Sequence, residues 1–445
     1  MRDPNPGILK LELFCRGARI DGSCTLDADT RPIKRTRGGL GSGLDAILPE
    51  GVWVNIPVVE PFAQDSSFVI RKDADGYGLW EDRKLVSPLV LPPRPAWYDQ
   101  TSSSGKRFGD IGVMQGTYFA VYPSDLCRFW TMQPRKNCRF CSVGLCVGKT
   151  ESEQKSLRDV VEAVQMARKH ERITFVHFNT GFYEDDRALD IVMPYVDAVR
   201  KSTGLLVGVQ CPPARDLSKY DRLKKAGADH ASFCFELFDP DRFAEICPGK
   251  AEFFAKIAGS LEGDPLLNDV NASATRHLGG KPPHPGQLPF YRAVAYCTRL
   301  WGKGHVSGEI VAGLESPESS IAAIDFLAAY GAVSTVCVFR PCVGTDLESS
   351  ATPDPGALAP VFARMYDACL DRGIHVAIVP NIKTAMVHLP DEGRYFTSAS
   401  AGIGHKLFTC ATRAAMGAGL SARRWLYGAR VRLLNTAART KQGDD

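Results

Sequence analysis

Four of the fourteen cysteines in this 445-residue chain fall within twenty residues, in "CRFWTMQPRKNCRFCSVGLC" (127–146). Cys138 and Cys141 form a C-x-x-C pair with the aromatic Phe140 between them. Cys127 stands before that pair and Cys146 after it. Thiolates are soft donors that suit zinc and iron–sulfur clusters. A structural zinc normally asks for two closely spaced pairs, and only Cys138 with Cys141 supplies one. A three-thiol iron–sulfur site can be drawn in two ways, as Cys127/Cys138/Cys141 or as Cys138/Cys141/Cys146. The residues alone leave both open. Cys247, Cys337 and Cys342 are candidates for an auxiliary cluster or a hydrogen-atom donor, with buried inert thiols as the commoner outcome. Cys15, Cys24, Cys297, Cys369 and Cys410 show no ligand spacing.

The composition restricts what such a centre could serve. Hydrophobic residues make up 44% and charged residues 23%, as in an ordinary globular protein. A net charge of +4 over this length gives no case for a nucleic acid or a membrane surface as partner. No apolar run reaches the roughly 18 residues of a membrane span. The start, "MRDPNPGILKLELFCRG", lacks a secretory h-region and cleavage site. A reducing cytoplasm is therefore expected, where clustered cysteines serve metal or redox chemistry more often than disulfides.

The elements that must position the thiols alternate from residue 117 onward. Apolar, β-rich runs occur at "TYFAVYP" (117–123), "ITFVHF" (173–178), "LLVGVQC" (205–211), "HASFCFEL" (230–237), "HVSGEIVAGL" (305–314) and "VSTVCVFR" (333–340). Helical patterns separate them, for example "SLRDVVEAVQMARKH" with Ser156 as its N-cap. A seventh run, "HVAIVP" (375–380), follows another helical pattern. Six or seven βα units predict an α/β fold: a full or partial (β/α) barrel with its chemistry at the carboxyl ends of the strands. Cys127 lies just past the first of these strands.

Residues 1–115 read as a small β-rich N-terminal domain, with "VWVNIPV" (52–58) and a hairpin around "DADG". Its glycine-rich "RGGLGSGLD" (37–45) lacks the phosphate-loop pattern and reads as a flexible loop. The barrel is expected over 116–400 and a C-terminal extension over 401–445. The Gly- and Pro-rich 259–289 stretch reads as an inserted loop or lid.

The C-x-Phe-C pair, taken with the later strand ends, resembles the radical S-adenosylmethionine (radical SAM) superfamily. That resemblance rests on "HFNTGF" after the second strand, "FCFELFDPDRFAEICPGK" at the fourth, "GEIVAGLESPESS" at the fifth and "VFRPCVGTDLE" at the sixth. It covers residues 117 to about 350. The chain departs from the usual C-x3-C-x2-C spacing, since Pro134 stands where the first cysteine would fall. Further stretches ("AWYDQTSSSG", "QCPPARD", "WGKGHVSGEIVAGLESPE") are similar to a subgroup associated with bacterial nitrilase gene clusters.

The resemblance implies a [4Fe–4S] cluster held by Cys127, Cys138 and Cys141, because the family places its first ligand before the aromatic pair. It implies an S-adenosyl-L-methionine site built from Phe140, Asn179, Thr180, Gly181, Glu236, Arg242, Ile310, Gly313 and Pro341. In this reading Glu236 meets the ribose or amino group, Arg242 the carboxylate, and Ile310 and Gly313 the adenine. The implied activity is reductive cleavage of S-adenosylmethionine to a 5′-deoxyadenosyl radical acting on a small-molecule substrate. The implied partner is a reductant such as flavodoxin or ferredoxin. Two other readings stand beside it: an iron–sulfur scaffold or electron-transfer protein without turnover, and a zinc-stabilised barrel. His177, Gln210 and Cys211 are further polar candidates at strand ends.

Overall fold

The computed structural model describes residues 4–26, 30–376, 382–398, 403–404, 406–407, 410–423 and 425. The expected seventh strand at 375–380 lies largely outside the described residues.

The N-terminal segment opens on a helix, Pro6–Arg16, whose first amides are capped by the Asn5 side chain. Two small sheets follow. One combines β2 (Lys34–Arg35), β3 (Ser42–Leu48) and β4 (Val52–Pro57). The other has the order β1-β5-β6-β7, from β1 (Arg19–Ile20), β5 (Val69–Asp73), β6 (Gly76–Glu81) and β7 (Lys84–Leu89). The "DADG" turn joins β5 to β6 as an antiparallel pair.

The main sheet contains β8 (Gly112–Gln115), β9 (Tyr118–Val121), β10 (Phe175–Asn179), β11 (Leu206–Gln210), β12 (His230–Glu236), β13 (Val306–Ala312) and β14 (Val333–Val338). They stand side by side in sequence order. β9 through β14 run parallel, and β8 closes back on β9 as an antiparallel hairpin. Successive strand residues point to opposite faces. Val176, Val209, Phe233, Ile310 and Val336 enter the main apolar core together with residues of the intervening helices. The opposite face presents Tyr118, His177, Gln210, Cys234, Glu309 and Cys337, one from each parallel strand, and all six line the same cavity. A flat sheet could not bring six strands to one cavity, so this sheet curls around it as a partial barrel. Among the described residues no pairing joins β14 to β8.

Local chemistry explains the helices on the outer face. Ser156 and Asp159 form a capping box at the start of Leu157–Glu171. Ser316 and Asp354 cap Pro317–Ala329 and Pro355–Arg372, each just ahead of a first-turn proline. The helix Arg187–Thr203 continues through Pro194.

One segment differs from the sequence expectation. The 259–289 stretch is not an irregular loop. It contains the helix Pro265–His277, capped by Asp264, with Leu267, Val270 and Ala274 buried in the core. Its glycines and prolines mark the ends of that helix, and none of its residues lines the cavity. Within residues 1–115, Leu9, Leu13 and Phe14 belong to the same apolar cluster as the barrel strands. Past the start of the sheet, residues 410–423 are helical. Leu420 packs there on Phe175 and Leu206, the first residues of β10 and β11. Among the described residues no helix is long and apolar enough to cross a membrane.

The N-terminal helix is fastened by a buried cation. Lys10 is fully buried and donates to both Glu392 carboxylate oxygens (2.9 and 3.0 Å) and to the carbonyls of Thr384 and Val387. Removing one partner of such a pair leaves a buried charge uncompensated. Lys10→Met is expected to cost about 3–5 kcal/mol, read as a drop in the chemical-denaturation midpoint. The double change Lys10→Met/Glu392→Met should recover most of that loss.

Candidate functional site

The cavity measures about 410 Å³, within the roughly 300–1,000 Å³ range of small-molecule sites. Cys127, Cys138, Phe140 and Cys141 line it at the carboxyl end of the sheet. Backbone bonds fix each cysteine, although the segment has little regular structure. Cys127 precedes the helical turn Arg128–Thr131, and its Sγ accepts the Phe182 amide at 3.3 Å. The stretch around Cys138 is pinned on two sides. The Arg139 amide donates to the Ile246 carbonyl (2.9 Å), and the Arg139 carbonyl accepts from the Asp346 backbone amide (3.0 Å). The Cys141 amide closes a tight turn onto the Cys138 carbonyl at 3.0 Å.

The turn between β2 and β3 supplies the rest of the support. The Gly39 amide donates to Ser142 Oγ (3.1 Å), and the Ser142 amide donates to the Arg37 carbonyl (3.2 Å). Gly39 has φ +71°, and a Cβ there would lie 1.7 Å from the Phe140 carbonyl oxygen. Only glycine fits both the backbone angle and the gap. The glycine-rich stretch is thus a buttress for the cysteine segment and not a flexible loop. Gly181 has a matching role on the other side, where a Cβ would come within 2.5 Å of the Cys127 Cβ.

Electrostatics ties the three thiols together. Burial is the main force raising the Cys127 and Cys141 thiols, and a charge on Cys138 raises each of them further. Cys138 is lowered, first by a hydrogen bond from Cys247 and then by the nearby Lys250 ammonium. Three thiolates on one desolvated wall oppose one another, and a bound metal cation would reverse that balance. Among the described residues no three His, Cys, Asp or Glu side chains converge on a point that could hold a single metal ion. A zinc ion needs its thiolates all roughly 2.3 Å from one centre. A cubane is held by thiols on separate irons, one cysteine to each. Cys146 is buried, with its Sγ toward the Arg35 carbonyl (3.6 Å), and does not line the cavity.

Next to the thiols, Asn179 ends β10 on the cavity wall, Thr180 and Gly181 follow it, and Glu236 ends β12 there. A register shift between Cys234 and Glu236 marks a bulge, and Glu236 takes φ +71°. This non-glycine left-handed residue turns its carboxylate inward. Lys250 pairs with it at 2.6 Å.

Four proposed residues stand elsewhere. Arg242 lies on Pro240–Ile246, whose apolar face carries Phe243 and Ile246. Its guanidinium is partly exposed, bound to the Leu314 carbonyl (2.9 Å) and paired with Glu245. Ile310 is fully buried on the helix-packed face of β13. Gly313, with φ +97°, sits against Pro353 beyond that strand, and Pro341 is buried just beyond β14. None of the four lines the cavity.

Sequence reasoning missed Arg37, Lys250 and Glu309, which do line it. Arg37 pairs with Glu151 in a buried cluster that includes Lys155, and it donates to Asn179 Oδ1 at 3.3 Å. Lys250 could have been found as the second cation after the fourth strand. Arg37 carries no local sequence signal. His177, Gln210 and Cys211 all line the cavity, and burial lowers the His177 imidazole to about 4. Cys247 lies behind Cys138.

No family model and no curated protein matches the chain. Solved structures that the chain is similar to include HydG, a maturase of the [FeFe]-hydrogenase, at 12% identity and a TM-score of 0.42. That match covers 63% of this chain and 54% of HydG. HydG from Carboxydothermus hydrogenoformans gives 17% identity and a TM-score of 0.39, over 64% and 58% of the two chains. Methylornithine synthase (PylB) gives 15% and 0.37, over 62% and 67%. The chain thus spans little more than half the length of the two maturases. Likeness at these TM-scores carries no argument about activity, and the site is read from its own residues.

The glycine buttress gives a direct expectation. Gly39→Ala should keep the far-UV circular dichroism of the parent but retain much less iron per chain after anaerobic reconstitution. Gly259→Ala, in the helix Pro248–Ser260 with open space around it, should retain iron normally. It should gain up to about 1 kcal/mol of stability from helix propensity.

Proposed function

We propose that the chain is a radical SAM enzyme whose Cys127, Cys138 and Cys141 hold a [4Fe–4S] cluster and whose cavity takes S-adenosylmethionine and a small-molecule substrate. The observation that carries this reading is the placement of those three thiols, with Phe140, on one wall of a cavity that the whole sheet encloses. The similarity of several motifs to the nitrilase-cluster subgroup supports the same reading, as does the order of the strand-end motifs.

Bound together, the cluster and S-adenosylmethionine supply an electron and a breakable carbon–sulfur bond, the source of a 5′-deoxyadenosyl radical. The chain's own residues bind, orient and exclude water. Asn179 and Thr180 offer a carboxamide and a hydroxyl beside the cluster wall, and Gly181 keeps the strand end close to Cys127. The Glu236–Lys250 pair presents an anion and a cation together, which suits a zwitterionic amino-acid end such as that of methionine. In this role Lys250 takes the place that the motif resemblance gave to Arg242. The curled sheet and the C-terminal helix against its first residues shield the chamber from solvent. A small electron carrier of the flavodoxin or ferredoxin type would deliver the electron in a reducing cytoplasm.

Anaerobic reconstitution followed by reduction with S-adenosylmethionine present should release 5′-deoxyadenosine. Replacing Cys127, Cys138 or Cys141 by Ala should abolish both the brown iron–sulfur absorption and the product, whereas Cys146→Ala should keep both. A stable cluster with no 5′-deoxyadenosine would instead favour an electron-transfer role. Cluster loss in Cys146→Ala but not in Cys127→Ala would move the first ligand.

A further inference from the structure

We infer that the barrel interior recognises a substrate carrying a basic nitrogen, and that Glu309, at the end of a one-way hydrogen-bond chain crossing four strands, is the group that binds it. The inference rests on the reading of this cavity as a reaction chamber and adds a substrate class to it.

The chain begins outside the sheet. Arg37 donates to Asn179 Oδ1 (3.3 Å), and Asn179 Nδ2 donates to Gln210 Oε1 (3.2 Å). Gln210 Nε2 donates to Cys234 Sγ, whose thiol donates in turn to Glu309 Oε2 (3.5 Å). Asn179 and Gln210 are register partners on β10 and β11, as are Cys234 and Glu309 on β12 and β13. A guanidinium can only donate. Arg37 therefore fixes the carboxamide orientation of Asn179, which fixes that of Gln210. Every donor then points toward Glu309, and an ionised carboxylate can only accept. Ser232 Oγ donates to the other carboxylate oxygen at 2.7 Å.

Among the described residues no protein cation pairs with Glu309. The donors on Glu309 are neutral, and the charged neighbour that acts on it most strongly is a second carboxylate, Glu236. Glu236 is already committed to Lys250. A carboxylate has about four acceptor positions, so the protein's donors leave it room for another. A desolvated carboxylate is costly unless it is paired, and burial accordingly raises the Glu309 carboxyl. A ligand ammonium placed in the cavity would supply the missing charge.

The rest of the interior is compatible with a cation. Tyr118, Phe175 and His177 form an aromatic cluster with centroids 5.8–6.2 Å apart on the neighbouring strands, and ring faces attract cations. Burial lowers His177 to about 4 and His230 to about 3, so both imidazoles stay neutral near pH 7 and repel nothing. Arg37, the nearest protein cation along the chain, spends its charge on Glu151. An anionic substrate placed at Glu309 would meet a carboxylate, and the cavity's Lys250 is paired with Glu236.

The test is calorimetric titration of the reconstituted protein with saturating S-adenosylmethionine, so that the cofactor's own ammonium is not the group being read. The probes are matched sets: benzylamine, benzyl alcohol and benzoate, then propylamine and propanol. At least one amine should bind about tenfold or more tightly than its alcohol, and benzoate should bind most weakly. Glu309→Gln should remove the amine's advantage while leaving alcohol affinity within about twofold. Equal affinity of both amines and their alcohols for the unaltered protein overturns the inference, and this comparison does not depend on any variant folding. An amine preference that survives in Glu309→Gln also overturns it. An amine preference without cluster absorption would sink the proposed activity and leave this inference standing. 5′-Deoxyadenosine formation without an amine preference would do the reverse.

Discussion

The backbone of the β2–β3 turn lies so close to the backbone of the cysteine segment that no side chain fits between them. Gly39 against the Phe140 carbonyl is the tightest point, and the amide of Ser142 on the Arg37 carbonyl lies beside it. A site built on an irregular segment must obtain rigidity from its surroundings, because the segment has almost no ladder of its own. Here the support comes from more than one hundred residues earlier in the chain. The N-terminal region therefore belongs to the site, and Lys10 and Arg340 anchor it there. Arg340 is buried, lies 3.9 Å over the Phe14 ring and donates to the Leu40 carbonyl (2.6 Å). This ties the first helix and the glycine turn to the end of β14.

A second theme is that the site is made by alternation. On each parallel strand one set of side chains feeds the helix-packed core, and the other feeds the cavity. The six strands were legible because their runs of Val, Ile and Phe are bounded by helical patterns with clear caps. Which face each residue takes was not legible, because strands buried on both sides show no polar–apolar alternation. Hence Ile310 was named from its motif while Glu309 beside it was passed over. The register with Cys234 settles the matter, and register is a property of neighbours far away in sequence.

The remaining differences share a physical origin. Arg242 and Lys250 both follow β12 as basic residues, on the successive helices Pro240–Ile246 and Pro248–Ser260, and the path of the chain between those helices decides which returns to the cavity. The 265–277 helix was hidden by the glycines and prolines at its ends, although Asp264 before Pro265 is an ordinary N-terminal signal. The glycine-rich turn reads as loose in the sequence because its composition is loose. Its partner, the cysteine segment, gives the glycines their purpose, and composition cannot show a partner. By contrast, the clustering of Cys127, Cys138 and Cys141 is plain in the sequence, and all three line the cavity.

The central claim is that three side chains hold the cluster and leave one iron open inside the cavity. Mössbauer spectroscopy of protein reconstituted with ⁵⁷Fe, with and without S-adenosylmethionine, tests this most directly. The account predicts a cubane with three similar irons and one distinct iron, and only the distinct iron should change when S-adenosylmethionine is added. Four equivalent irons that ignore the ligand, or iron bound without a cubane, would contradict it.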